Sequence, residues 1–84
     1  MQIIFSPEAF DDLCEWAQID QKIHSKIATL IKDIRRSPFQ GLGKPEPLKH
    51  KYSGYWSRRI TGEHRLIYKI GKEKIFIVAC KYHY

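Results

Sequence analysis

A chain of 84 residues suffices for one domain with a modest core and leaves no room for a second module, so function must sit on the fold itself. The longest apolar run, residues 75–80, is far too short to cross a bilayer, and residues 1–5 show neither a charged start nor a small-residue cleavage site. A single cytoplasmic domain spanning 1–84, with no membrane partner, is therefore expected. The formal net charge of +6 is unevenly divided: residues 1–40 carry five Lys/Arg against six Asp/Glu, and residues 41–84 carry ten against three. The second half is the side suited to a polyanion, although charge alone does not separate RNA, DNA, an anionic membrane and an acidic protein.

Gln2, Ile3, Ile4 and Phe5 predict a short first strand. Ser6 then reads as a helix N-cap with Pro7 at the first helical position. Phe10, Leu13, Cys14 and Ala17 recur at helical spacing and predict a first helix to about Gln18. A second helix is predicted from about Asp20, with Ile23, Ile27, Leu30, Ile31 and Ile34 on one apolar stripe, until Ser37 and Pro38 stop it. Both stripes are expected to be core. Cys14 and Cys80 lack any metal-like or CxxC spacing and are expected to be small buried hydrophobes.

Residues 38–47 shift to a Pro- and Gly-rich composition, and Pro45 and Pro47 bracket Glu46, which predicts an ordered loop. Three extended runs follow at 55–61, 64–70 and 74–82, joined by turns at Gly62-Glu63 and at Gly71-Lys72-Glu73. Strand, two helices, then strands predicts an α+β fold with the helices packed on one face of a mainly antiparallel twisted sheet.

Alternate residues of a strand share a face. Leu66, Tyr68, Ile70, Phe76, Val78 and Cys80 are assigned to the helix side. Arg59, Arg65, Lys81 and His83 then fall on the open face, together with Ile67, Ile75 and Ile77 as a minor core or partner surface. Short turns place Arg59 across from Arg65, and Arg65 across from Ala79 or Lys81, within about one pair step.

His83 alone reads as a surface histidine, Arg65 alone as a solvated strand charge and Glu46 alone as a loop carboxylate. Together they suit one reaction, the attack of an RNA 2′-hydroxyl on its own phosphodiester. That reaction needs a base for the hydroxyl proton, an acid for the leaving 5′-oxygen and fixed positive charge against the charge that develops between them. Glu46, His83 and Arg65 supply these three. Tyr84 or Tyr82 is suited to stack on a splayed base, and Lys49, Lys51, Arg59 and Lys81 to hold phosphates. No cofactor is expected: His24, His50, His64 and His83 are scattered without ligand spacing, and the reaction requires no metal.

Four segments carry a resemblance. Gly43-Lys44-Pro45-Glu46-Pro47-Leu48-Lys49-His50, Ser53-Gly54-Tyr55-Trp56-Ser57-Arg58-Arg59-Ile60-Thr61, Glu63-His64-Arg65-Leu66-Ile67-Tyr68 and the closing Cys80-Lys81-Tyr82-His83-Tyr84 resemble, in that order, the Txe/YoeB branch of the RelE toxin superfamily. The likeness extends to Ile31-Lys32-Asp33, Arg35-Arg36 and Pro38-Phe39. It implies a microbial-RNase-like fold and a ribosome-dependent endoribonuclease that cuts mRNA in the A site, held inactive by a cognate antitoxin. Carried over, the family's general base falls on Glu46, its transition-state arginine on Arg65, its general acid on His83, its terminal aromatic on Tyr84 and a supporting lysine on Lys49. Lys81 stands where some relatives carry arginine, which keeps the charge but loses the bidentate fork. A basic module that binds rRNA or an acidic protein without catalysis, and an RNase that needs no ribosome, are the alternatives. Apolar surface leaves a homodimer open.

Overall fold

The computed structural model describes residues 1–82; the expected site residues His83 and Tyr84 lie outside the described residues. β1 (Gln2–Phe5) leads into α1 (Pro7–Ile19) through Ser6, whose hydroxyl accepts from the Ala9 N–H at 3.1 Å while its backbone N–H donates to Ile77 O at 2.9 Å. One side chain therefore starts the helix and one backbone group ties that start to the sheet. Asp20 serves two helices. Its N–H donates to Trp16 O and closes α1, and its carboxylate accepts from Lys22 N and Ile23 N and opens α2 (Gln21–Arg36).

The five strands lie in the order β1-β5-β4-β3-β2, with β2 Glu46–Pro47, β3 Trp56–Arg59, β4 Arg65–Gly71 and β5 Lys74–Ala79. β1 runs parallel to β5 and every other neighbouring pair is antiparallel, as the α+β expectation requires. The helices cover one face. Ile27, Leu30, Ile31 and Ile34 of α2 pack with Leu66, Tyr68, Ile75, Ile77 and Cys80 of the sheet side, each such aliphatic contributing about 1.5–3 kcal/mol on full burial.

Three sequence expectations need correction. The buried residues of α1 are Ala9 and Trp16, with Leu13 partly covered, whereas Phe10 is 53% exposed and Cys14 is exposed. The helix is rotated because small Ala9 lets it approach Cys80, whose Sγ donates to Ala9 O, and because the Trp16 indole donates to Cys80 O at 2.8 Å. On β5, Ile75 and Ile77 face the helices, and Phe76 and Val78 do not belong to that core. The register explains this: Ile70 pairs with Ile75 and Tyr68 with Ile77, after which a bulge lets Ile67 pair with Ala79, adding one residue to β5 and returning Cys80 to the helix side. Lastly, Glu46 and Pro47 form a two-residue edge strand rather than loop.

Candidate active site

Paired residues in a ladder point to the same side, so the register defines the open face row by row. Glu46 pairs with Ser57, Ser57 with Ile67 and Ile67 with Ala79. Arg59 and Arg65 form the next pair on that face, as the spacing predicts, and Lys69 with Phe76 forms the row on the other side of Ile67. Glu46 and Arg65 are thus two strands and two residues apart, about 12 Å between their backbones, a gap that a carboxylate and a guanidinium can close onto one phosphodiester from either side. On this face the segment containing the 3₁₀ turn His50–Tyr52 packs near Ile67. It leaves a cleft of about 230 Å³ lined by Lys51, Tyr52, Tyr55, Ile67 and Val78. Ile67, only 2% exposed yet outside the helix-side core, forms an apolar floor.

The placement of Glu46 begins in the core. Arg58, on the helix side of β3, is completely buried and donates from Nη1 to Asp33 Oδ2 at 2.6 Å and to Leu42 O at 3.1 Å. Its Nη2 donates to Ser37 O at 2.6 Å and Gln40 O at 2.8 Å, and its Nε to the Tyr68 hydroxyl at 3.2 Å. That hydroxyl donates onward to Pro38 O. One guanidinium therefore gathers the carbonyls of the loop that delivers β2. Hydrogen bonds from Arg36, from the Leu42 N–H and from Arg58 hold the Asp33 carboxyl well below the usual carboxylate range, and burial pushes the Tyr68 phenol up against the opposing pull of Arg58. Gly43 completes the loop at φ +80, its carbonyl accepting from Arg59 N at 2.7 Å; a Cβ there would meet Leu30 Cδ2, Arg58 Cβ and Arg59 O at 3.0–3.1 Å.

Arg65 is fixed by the turn before it. Its Nη1 donates to Thr61 O at 2.8 Å and to Gly62 O and His64 O at 3.2 Å. Among the described residues nothing accepts from its Nε or Nη2. Its backbone N–H donates to Tyr82 O at 2.8 Å, which attaches the last described residue of the tail to the first residue of β4.

The other expected site residues divide between two places. Lys49 and Lys51 are exposed beside the cleft, with Lys51 Nζ 5.3 Å from the Tyr52 ring centroid, and Arg59 is exposed next to Arg65. Tyr82 is 58% exposed. Lys81 departs from the parity expectation: it ion-pairs with Glu15 of α1 and lies 5.4 Å from the Trp16 ring, because β5 ends at Ala79 and strand alternation no longer governs residue 81. Sequence reasoning also passed over members of the face. Lys69 shares the parity of Arg65 and sits 5.4 Å from the Tyr55 ring, a position that counting by twos from Arg65 would have found. Tyr52 lines the cleft from a 3₁₀ turn that no periodicity announced, and Tyr55 lines it from just before β3.

Residues 5–84 match the model of the YoeB-like toxin of bacterial type II toxin–antitoxin systems. The toxin YoeB of Escherichia coli (strain K12) is 56% identical over 84 residues, the full length of both chains. A YoeB dimer from Staphylococcus aureus superposes with a TM-score of 0.94 at 48% identity, covering 100% of this chain and 98% of that one. YoeB in a heterotetrameric YoeB–YefM toxin–antitoxin complex from the same organism gives 0.93 at 48% identity and the same coverage.

Proposed function

Because the chain belongs to the YoeB-like toxin family of bacterial type II toxin–antitoxin systems, we propose that it is a ribosome-dependent endoribonuclease that cuts mRNA in the ribosomal A site. Glu46 takes the proton of the 2′-hydroxyl, and the freed oxygen attacks the adjacent phosphorus. Arg65 neutralises the charge that builds on the phosphoryl oxygens as the bond to the 5′-oxygen breaks. His83 gives that oxygen a proton, leaving a 2′,3′-cyclic phosphate upstream and a 5′-hydroxyl downstream. Tyr84 stacks on a base beside the cut, while Lys49, Lys51 and Arg59 hold phosphates. Lys81, engaged by Glu15, supports the tail from the helix side, and Tyr82 supports it from β4.

The observation that supports this reading most is the single face on which the register sets Glu46 and Arg65, the same face whose Ile67 floors a tyrosine-walled cleft. A basic face that only binds polyanions would gain nothing from a carboxylate there. The test maps 3′ and 5′ ends of mRNA on programmed ribosomes and of naked mRNA. Wild-type protein should cut only the former, yielding 5′-hydroxyl fragments. Glu46→Gln, Arg65→Ala and His83→Ala should each lose about 100-fold or more, in line with the usual contribution of a general acid or base. Fragments bearing a 5′-phosphate, or full cleavage by His83→Ala, would sink the mechanism. Adding a cognate YefM-type antitoxin should stop the reaction, as expected of a toxin with a paired inhibitor.

A further inference from the structure

We propose that His64 is a positioning residue for the reaction, holding the C-terminal tail in register with Arg65 through a hydrogen bond from the Tyr82 backbone to its Nδ1; this rests on the reading of His83 as the acid. His64 immediately precedes β4 and is 8% exposed. Its Nδ1 accepts from the Tyr82 N–H at 2.8 Å, while the next residue, Arg65, donates its own N–H to Tyr82 O at 2.8 Å. Two adjacent residues thus hold both polar groups of one tail residue. The carbonyl so held belongs to the peptide that joins Tyr82 to His83.

The arrangement has the marks of a clamp. Tyr82 has φ +59, a left-handed conformation that a residue with a Cβ adopts only when surrounding bonds enforce it. The ring that enforces it is itself held. Its centroid lies 4.8 Å from that of Trp16 in an edge-on contact at 77°, and 5.2 Å from that of Tyr82. Trp16 is in turn bonded to Cys80 O. The His64 backbone N–H donates to Thr61 Oγ1 at 3.0 Å, and its carbonyl accepts from Ile60 N at 2.9 Å and from Arg65 Nη1. The same turn therefore orients the phosphate-binding guanidinium and the tail, so the two cannot shift independently.

An accepting Nδ1 places the ring proton on Nε2, on the side of Glu63, whose Oε1 is 3.6 Å away. A histidine that served only to fill space would have no need of that tautomer or of a tail bond.

The experiment compares wild type, His64→Leu and His64→Asn on programmed ribosomes. Leucine keeps apolar bulk and deletes the acceptor; asparagine offers Oδ1 close to the place of Nδ1. Wild-type kcat should fall about 10- to 100-fold in His64→Leu with KM within about twofold, and His64→Asn should recover most of it, since a misplacement of about 1 Å costs on that scale. Equal losses in both variants, or none in His64→Leu, overturn the proposal. A second measurement needs neither a variant nor a ribosome: in the wild type the Tyr82 amide must be protected from hydrogen exchange and the imidazole must show the Nε2–H tautomer. An unprotected amide or an Nδ1–H tautomer refutes the clamp, whereas failure of the wild type to cleave refutes the enzymatic reading and leaves this measurement to decide on His64.

Discussion

Cys14 and Cys80 carry the same thiol in opposite surroundings. Cys14 is exposed on α1, while Cys80 is fully buried, and burial aided by the nearby charge of Asp12 pushes its thiol up to about 12. The thiolate is the reactive form, so at pH 8 an aromatic disulfide reagent should label one thiol per folded chain at once and the second only after denaturant is added. Two equally fast equivalents in the native protein would contradict the burial of Cys80. The same contrast separates Arg58 from Arg59. One is consumed by Asp33 and the loop carbonyls, the other is exposed beside Arg65, and their alternation along β3 is the whole cause. A count of cations in the second half therefore overstates the charge that reaches a ligand, because Arg58 and Lys81 both turn toward the helices.

At the scale of elements, α2, the loop after it and β3 act as one unit through Asp33 and Arg58. Arg58→Met should lower the midpoint of urea unfolding, since it takes the donor from the Ser37, Gln40 and Leu42 carbonyls and leaves the Asp33 carboxylate with Arg36 and the Leu42 N–H. For Asp33 the sign follows from its depressed pKa. Its contribution is complete above the ordinary value near 3.8 and is lost as pH falls through the lower folded value, because the unfolded chain takes up the proton first. The difference in Tm between wild type and Asp33→Asn should therefore be widest near neutral pH and should narrow as the pH drops below about 3.8; a difference independent of pH would argue against the ion pair. The α2 stripe was legible in the sequence because five apolar residues keep helical spacing over a full element. The facing of β5 was not, because a single bulged residue reverses the parity on one side of it. Neither was β2, whose two residues are too few to show any period and form a strand only because β3 lies alongside.

At the scale of the molecule, the open face was half legible. Alternation along β3 and β4 placed Arg59 and Arg65 together correctly, since no irregularity intervenes between those strands, and family motifs rather than periodicity singled out Glu46. The remaining question is how the tail relates to the fold. Among the described residues, every member of the helix-side core lies at or before Cys80, the last strand ends at Ala79, and Tyr82 is bonded to His64 and Arg65 by its own backbone. Deleting His83 and Tyr84 should leave Tm within about 3 °C of the wild type, since the core of the described residues is complete by Cys80, and should abolish growth arrest and cleavage on programmed ribosomes. An added C-terminal tag that preserves both residues tests a different point, whether the tail needs a free end. A truncated chain that still cuts mRNA would move the acid off the tail and leave Glu46 and Arg65 in search of another partner on the same face.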